Sequence, residues 1–369
     1  MSAAEVPFTD VAAMTREIWP SIEKDYLDCV LGGEYIGGAV VDAFEREWAA
    51  YCGAAHAVGV ANGTDAIQLA LTALGIGPGD EVVVPSSTFI ATAAAVVRAG
   101  ARPRFADVSD ATLLLTPETL AEAVTPRTRA VIVVHLYGQM PDMEGLQKVA
   151  ADAGVLLIED AAQAHGAEWA GRRAGSFGVA GCFSFYPGKN LGAFGDGGAV
   201  VTSRPEVAER VRALANHGRG HVSAHYEHDY VGTNSRLDSL QAIVLSGKLA
   251  RMESWTRRRA ALADSYRQLL QEEESLLLEV MPDSRHVYHL FVVRVRDRER
   301  IRAELSGNGI RTGLHYPVPC HLQPPLRSFS ERPLRVAEKA AREVLSLPLF
   351  PHMTDSQVEA VSAALIKAL

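Results

Sequence analysis

The chain has 369 residues, 48% of them hydrophobic and 22% charged, with a formal net charge of -8. That is a globular composition, long enough for two domains rather than one. The acidic balance and the lack of a block of like charge exclude a nucleic-acid footprint, and no apolar run approaches the ~20 residues of a membrane span.

From about residue 55 to 205, strand-like and helix-like segments alternate. HAVGVAN is a short apolar run, TDAIQLALTAL repeats apolar residues at helical spacing, and DEVVVPS, RPRFADV, RAVIVVHLYG, VLLIEDA, GCFSFYP and GGAVVTS are β-rich and bounded by turn residues. ATAAAVVRAG and MEGLQKVAADAG read as helices between them. Continuous apolar strands separated by helices predict a mostly parallel, seven-stranded sheet covered on both faces, with ligands beyond the C-terminal strand ends. Beyond 205, PEVAERVRALANHG, RLDSLQAIVLSGKL and SWTRRRAALADSYRQLLQEE read as helices, SRHVYHLFVVRV as a strand, RERIRAELSGNGI as a helix and GLHYPVP as extended chain. The expected fold is therefore α/β, with a large domain over 1–249 and a small C-terminal α+β domain over 250–369. The basic run at 257–259 shares its helix with Trp255, Leu262 and Tyr266, and a solvated face is expected for it.

Cys29, Cys52, Cys182 and Cys320 have no paired spacing, so neither a disulfide framework nor a CxxC metal site is expected. The stretch MSAAEVPFTDVAAMTREIW has no basic segment leading into an apolar core, and a cytoplasmic protein is expected.

Residues that could carry chemistry sit at the strand ends. NGTDAI (62–67) is a turn into a helix, where Gly63 lets the backbone come close and the Thr64 hydroxyl and backbone N–H groups can hold a phosphate; the plainer alternative is an ordinary N-cap. Phe89, just past DEVVVP, is either core or a plate for a planar ring. VLLIEDAAQAHG ends an apolar strand in Glu159 and Asp160, followed by Gln163 and His165. A carboxylate there needs a partner: a helix start or a cationic nitrogen in the cleft. SFYPGKNLGAFGDGG places one lysine, Lys189, among aromatic and glycine residues, five positions after Ser184. A desolvated lysine can act as nucleophile and base.

Other chemistries fit less well. GIGPGD at 75–80 follows a helix and precedes a strand, the reverse of a dinucleotide-binding turn, and GKN breaks the P-loop pattern. His217, His221, His225 and His228 have spacings that could gather metal ligands on a helix, but Gly218 and Gly220 oppose a helix there, and no metal is expected.

Taken in chain order, FEREWAAYCGAAHAVGVANGTDAIQLAL, GPGDEVVVPSSTFIATAAAV, VHLYGQ, IEDAAQAHGA, FSFYPGKNLGAFGDGGAVVT, VGTNSRLDSLQA and GLHYPVPCH resemble the DegT/DnrJ/EryC1/StrS sugar aminotransferases, pyridoxal-phosphate (PLP) enzymes of fold type I. The resemblance implies that Lys189 forms the Schiff base with PLP, Asp160 pairs with the pyridine nitrogen, Gln163 bonds the ring hydroxyl oxygen and Phe89 stacks on the ring. Gly63, Thr64 and Ser184 would hold the phosphate, Asn234 would reach the phosphate of a partner subunit's cofactor in a homodimer with shared sites, and Tyr316 and His321 would lie near the sugar nucleotide. YIGG at 35–38 departs from the family pattern, which more often has a single non-glycine residue before the glycine, in a loop near the substrate. The implied reaction moves an amino group from an amino acid, with glutamate expected, to a ketone of a nucleotide-linked sugar, with a dTDP-4-keto-6-deoxyhexose expected, in amino-sugar or antibiotic biosynthesis. Dehydratase relatives carry histidine in place of the lysine, so Lys189 favours transamination; a non-catalytic regulator or scaffold on the same fold is the remaining alternative.

Overall fold

The computed structural model describes residues 5–220 and 226–369. Two helices open the chain, α1 (Val11–Gly32) and α2 (Ala39–Cys52). The strands β1 (His56–Val60), β2 (Glu81–Pro85), β3 (Arg102–Ala106), β4 (Thr128–Val134) and β5 (Leu156–Asp160) then alternate with helices α3 (Gly63–Ala73), α4 (Ile90–Arg98), α5 (Pro117–Ala123) and α6 (Met143–Asp152). Two short strands, β6 (Glu168–Trp169) and β7 (Arg172–Arg173), precede β8 (Ala180–Ser184) and β9 (Gly198–Thr202).

The seven expected strands form one sheet in the order β1-β9-β8-β5-β4-β2-β3. β8, β5, β4, β2 and β3 run parallel, while β9 is antiparallel to both β8 and β1. Two antiparallel steps return β1 to the direction of β8. The C-terminal ends of β1, β5 and β8 therefore share one edge, with Val60 and Ser184 both opposite Gly198. Helices cover both faces, which is why β2 and β9 are buried along their whole length and read as unbroken apolar runs.

Helices α7 (Pro205–Ala215), α8 (Ser239–Leu249) and α9 (Met252–Leu269) follow. The expected division at 249/250 falls between α8 and α9. The stretch read as one strand at 284–295 is two, β10 (Ser284–Arg285) and β11 (Phe291–Arg294). β10 joins β6 and β7 in a three-stranded sheet. Between β10 and β11 the chain threads past Tyr137 and Gly138, bonding their carbonyls from Leu290 and Val287, and Tyr288 takes φ 45°. Helix α10 (Arg298–Gly307), helix α11 (Arg335–Glu343), strand β12 (Val344–Leu347) and helix α12 (Asp355–Ala368) complete the chain. β11 and β12 pair antiparallel, and α9, α10 and α12 pack against them around Tyr266, Leu305 and Leu365. Val6 joins this C-terminal core by bridging Ile310, so the start of the chain packs with its last third.

The basic run at 257–259 is not a uniformly solvated face. In α9, Arg259 shares the buried side with Trp255, Leu262 and Tyr266, which the 3.6-residue period places four, three and seven positions away.

Candidate active site

A cavity of about 530 Å³ opens at the shared strand edge and is closed on the other side by the C-terminal region. Its floor is built by the large sheet. Lys189 follows β8 on a turn in which its N–H donates to the Tyr186 carbonyl at 2.9 Å. Protein encloses its amine, and desolvation pulls the pKa down to about 8 against the opposing pull of the Asp160 carboxylate. Asp160 ends β5 almost fully buried. Its Oδ2 accepts from Thr92 Oγ1 at 2.7 Å and its Oδ1 from the Ala162 N–H at 3.2 Å. Thr92 spends its one proton on the carboxylate, so the 2.8 Å contact with Thr88 runs from Thr88 to Thr92.

Glu159 faces the other side of the sheet and does separate work. It is fully buried and accepts from the Gly175, Phe177 and Gly178 N–H groups, each at 2.7 Å, and from His135 at 2.9 Å. Four donors satisfy this charge without any ligand, leaving Asp160 as the strand-end carboxylate that faces the cavity.

At the far end, Asn62 caps α3 by accepting from the Asp65 N–H at 2.9 Å, and Gly63 and Thr64 form its first turn. A Cβ on Gly63 would meet the Ser184 Cβ at 2.6 Å, so glycine is required for β8 to reach this helix start. Free backbone N–H groups and a hydroxyl converge there, as an anion site needs. His165 donates from Nε2 to the Ser184 carbonyl at 2.9 Å and is held neutral, its pKa lowered to about 3 chiefly by burial.

The wall opposite comes from distant segments. Gln163 Oε1 accepts from the Tyr137 N–H at 2.7 Å, and its amide nitrogen donates to the Tyr316 hydroxyl at 3.0 Å, which leaves one amide proton. Phe89 is 52% exposed at the start of α4, tilted against Tyr316 at 5.5 Å between ring centres. An aromatic this exposed is not core packing.

The chain matches the DegT/DnrJ/EryC1/StrS aminotransferase family over residues 18–366. It belongs to that family. It is 48% identical over 95% of its length to the dTDP-3-amino-3,4,6-trideoxy-alpha-D-glucose transaminase of Streptomyces venezuelae, covering 93% of that protein. It is 43% identical over 99% of its length to the UDP-N-acetyl-3-dehydro-alpha-D-glucosamine 3-aminotransferase of Acidithiobacillus ferrooxidans, covering 98% of it. The crystal structure of DesV from S. venezuelae superposes with a TM-score of 0.94 at 46% identity, covering 98% of both chains. The fold is that of fold type I PLP-dependent transferases, and the cofactor of this aminotransferase is pyridoxal phosphate.

The residues present fit that cofactor. A planar ring with a cationic nitrogen and a phosphate needs a buried carboxylate, an apolar plate and an anion cradle around one amine, and Asp160, Phe89 and the Gly63–Ser184 contact surround Lys189. Of the other sequence-derived residues, Tyr316 lines the cavity and His321 does not. Cys320 N–H bonds the Ser86 carbonyl, and His321 is buried between Ser86 Oγ (2.5 Å) and Glu338 (3.2 Å). Asn234 also lies outside the cavity, accepting from Arg236 at 3.1 Å and bridging Asn216. The YIGG turn docks on the start of α8 through Ser239. His221 and His225 lie outside the described residues; His228 donates from Nδ1 to the His217 carbonyl at 2.8 Å.

Sequence reasoning missed Thr88 and Thr92, although PSSTFIAT contains both. It also missed Phe8, His289, His315 and Arg259, which line the cavity from the two ends of the chain. The histidines in VYHLF and GLHYP were the available signal.

Proposed function

We propose that the protein aminates the C-3 ketone of a dTDP-linked deoxyhexose, using L-glutamate as donor, in amino-sugar biosynthesis. The observation that carries this reading is the convergence of Lys189, Asp160 and Gln163 beside the α3 anion cradle in one cavity. The two relatives described above are named for amination at C-3 although their nucleotides differ, which favours C-3 over the expected C-4; dTDP follows from the higher identity of the first.

Pyridoxal phosphate, when bound, supplies the electron sink for a carbanion next to the transferred nitrogen. Lys189 would be its covalent anchor; once released, its amine, whose pKa burial lowers to about 8, would take the proton from the donor α-carbon onto Nζ and deliver it to the carbon on the other side of the transferred nitrogen. Asp160, held by Thr92, keeps a cationic ring nitrogen charged. Gln163 would donate its remaining amide proton to the ring hydroxyl oxygen, Phe89 would cover the ring face, and Gly63, Thr64 and Ser184 would hold the phosphate. Tyr316, fixed by Gln163, would border the sugar.

The working unit is a homodimer with shared sites. Tyr35 and Ile36 are exposed apolar residues in the turn that Ile36 ties to Asp238, and Val231 is 99% exposed three residues before Asn234. Exposed apolar residues of this kind are best covered by a second copy. All four cysteines are free thiols, in keeping with a reducing cytoplasm.

The test is to offer the enzyme glutamate with dTDP- and UDP-linked 3-keto and 4-keto sugars and to locate the new C–N bond by NMR. Amination at C-4 alone, or none with any sugar, overturns the reading.

A further inference from the structure

Lys248 is a second buried lysine, and nothing in the reaction described above uses it. It lies near the end of α8 with its side chain fully buried. Its Nζ donates to the Gly192 carbonyl at 2.6 Å and stands 5.2 Å from the centre of the Phe194 ring. Burial alone lowers its pKa to about 8, with no acidic group pulling the other way. Lys189 differs in this respect, since Asp160 opposes the same effect there.

A buried ammonium without a counter-ion is costly, and an apolar side chain of the same length would fill the space for less. What the ammonium holds must offset that cost. A charged donor makes a stronger hydrogen bond than a neutral one, and an aromatic face attracts the remaining charge. Gly192 follows Lys189 by three residues, and among the described residues no other donor reaches its carbonyl.

The turn that carries Lys189 is folded tightly back on itself. The Lys189 N–H donates to the Tyr186 carbonyl at 2.9 Å, and the Ala193 N–H to the Phe185 carbonyl at 2.8 Å. A Cβ on Gly192 would lie 2.4 Å from the Pro187 carbonyl oxygen, so the two limbs of the turn touch there. The first limb leaves β8 and is fixed by the sheet, where the Phe185 N–H donates to the Gly197 carbonyl at 2.7 Å. The second limb, 192–194, lies before the start of β9 at Gly198, and α8 supports it instead. Lys248 holds Gly192, and seven positions earlier on the same helix Gln241 Oε1 accepts from the Phe194 N–H at 2.8 Å. Seven positions are close to two turns, so both side chains leave one face of α8. The helix is firmly seated. Ile243 and Val244 pack with Ile18 and Ile22 of α1, while Ala242 and Leu245 share a core with Leu191 and Ala193.

We propose that Lys248, with Gln241, is a positioning residue for Lys189: together they clamp the second limb of the turn and so fix the place from which the Lys189 amine works. This rests on the reading of Lys189 as covalent anchor and proton carrier. Neither Lys248 nor Gln241 lines the cavity, so neither touches cofactor or substrate. Loss of the clamp should therefore lower the rate of the proton-transfer step and leave substrate affinity alone.

The test compares wild type with Lys248→Met, which keeps the length and loses the donor, and Lys248→Arg, which keeps a charged donor. In the apoproteins, hydrogen exchange read by mass spectrometry should be at least about tenfold faster over 185–195 in Lys248→Met, because a buried carbonyl has lost its partner, with α3 and β5 unchanged. In the holoenzymes, the visible band of the bound cofactor is followed after mixing with glutamate alone. The maximal rate should fall about 10- to 100-fold in Lys248→Met, while the half-saturating glutamate concentration stays within about twofold, since a small misplacement of the amine costs rate rather than binding. Lys248→Arg should recover part of the rate. If Lys248→Met fails to fold, Gln241→Leu, which releases the Phe194 N–H, should show the same pattern. An unchanged maximal rate or unchanged exchange over 185–195 in the folded variant, or a loss confined to the half-saturating concentration, overturns the assignment. The reading of Lys189 is checked separately: borohydride reduction of the wild-type holoenzyme should fix the cofactor on Lys189. Fixation elsewhere, or none, overturns both readings, whereas fixation on Lys189 with an unimpaired Lys248→Met overturns the clamp alone.

Discussion

Thr92 donates a 2.7 Å hydrogen bond to Asp160, and Thr88 stands behind it at 2.8 Å. The chain fixes one oxygen of the carboxylate, while the other accepts a longer bond from the Ala162 N–H. Replacing Thr92 with valine keeps the shape and removes the donor. A bond to a charged group contributes about 1.5–3 kcal/mol. Thr92→Val should therefore weaken cofactor binding roughly 10- to 100-fold, since 1.4 kcal/mol is tenfold. Thr92→Ser should keep most of it. Fluorescence titration of the apoprotein with pyridoxal phosphate measures both; equal affinity in all three proteins would mean that Asp160 is positioned by other contacts.

Lys189 carries a stability penalty in the apoprotein. Its folded pKa of about 8 lies below the 10.5 of a free lysine, so below pH 8 the unfolded chain binds its proton more tightly. The penalty is fully present at pH 7 and fades as pH rises from 8 to 10.5, because the unfolded state then loses the proton too. Lys189→Met should accordingly be more stable than wild type at pH 7, by about 2 kcal/mol after discounting for access of water from the cavity. That advantage should shrink toward pH 10, and turnover should be absent throughout. Urea denaturation of the two apoproteins at pH 7 and pH 10 checks the sign; a gap that does not narrow with pH would contradict the desolvated amine.

The half of the site that was legible in the sequence is the half built on the large sheet. β4 and β9 lie between helix layers, so their residues are apolar on both faces and read as strands without tertiary knowledge. Asp160, Ser184 and Lys189 sit at or just after such strands, and their positions could be read with them. The other half depends on pairings remote in sequence. β6 and β10 are two residues each, and the contact of Trp169 with Ser284 spans more than a hundred positions. Arg259 sits in a run of three arginines, and only the packing of α9 distinguishes it from its solvated neighbours. His321 lies outside the cavity for a similar reason: it is held by Ser86, just after β2, and by Glu338 of α11.

Gly63 and Ser184 set the width of the anion cradle. A Cβ added at Gly63 would lie 2.6 Å from the Ser184 Cβ, a distance no real pair of such atoms tolerates. Gly63→Ala should push the α3 start away from β8, with an overpacking cost of about 1–3 kcal/mol and a larger loss of cofactor binding. Adding Ser184→Gly removes the atom that is struck. The double variant should regain thermal stability while still binding cofactor less well than wild type, because one hydroxyl is gone. Calorimetry and cofactor titration on the two single variants and the double variant separate these terms. A Gly63→Ala protein with wild-type stability and affinity would show that the helix start has slack.

Asn234 lies outside the cavity of its own chain, three residues after the exposed Val231. If its amide completes the site of a second copy, two inactive variants should rescue each other. Lys189→Ala and Asn234→Ala mixed in equal amounts after dissociation give half heterodimers, by the statistics of random pairing. Each heterodimer holds one site with both defects and one with neither. Activity should therefore return to about a quarter of wild type, whereas each variant alone stays near zero or, for Asn234→Ala, strongly reduced. The recovered activity should rise with re-association time and track the dimer fraction seen by light scattering. A mixture no more active than the average of its two components would mean that each chain completes its own site, and that the exposed face around Val231 serves some other contact.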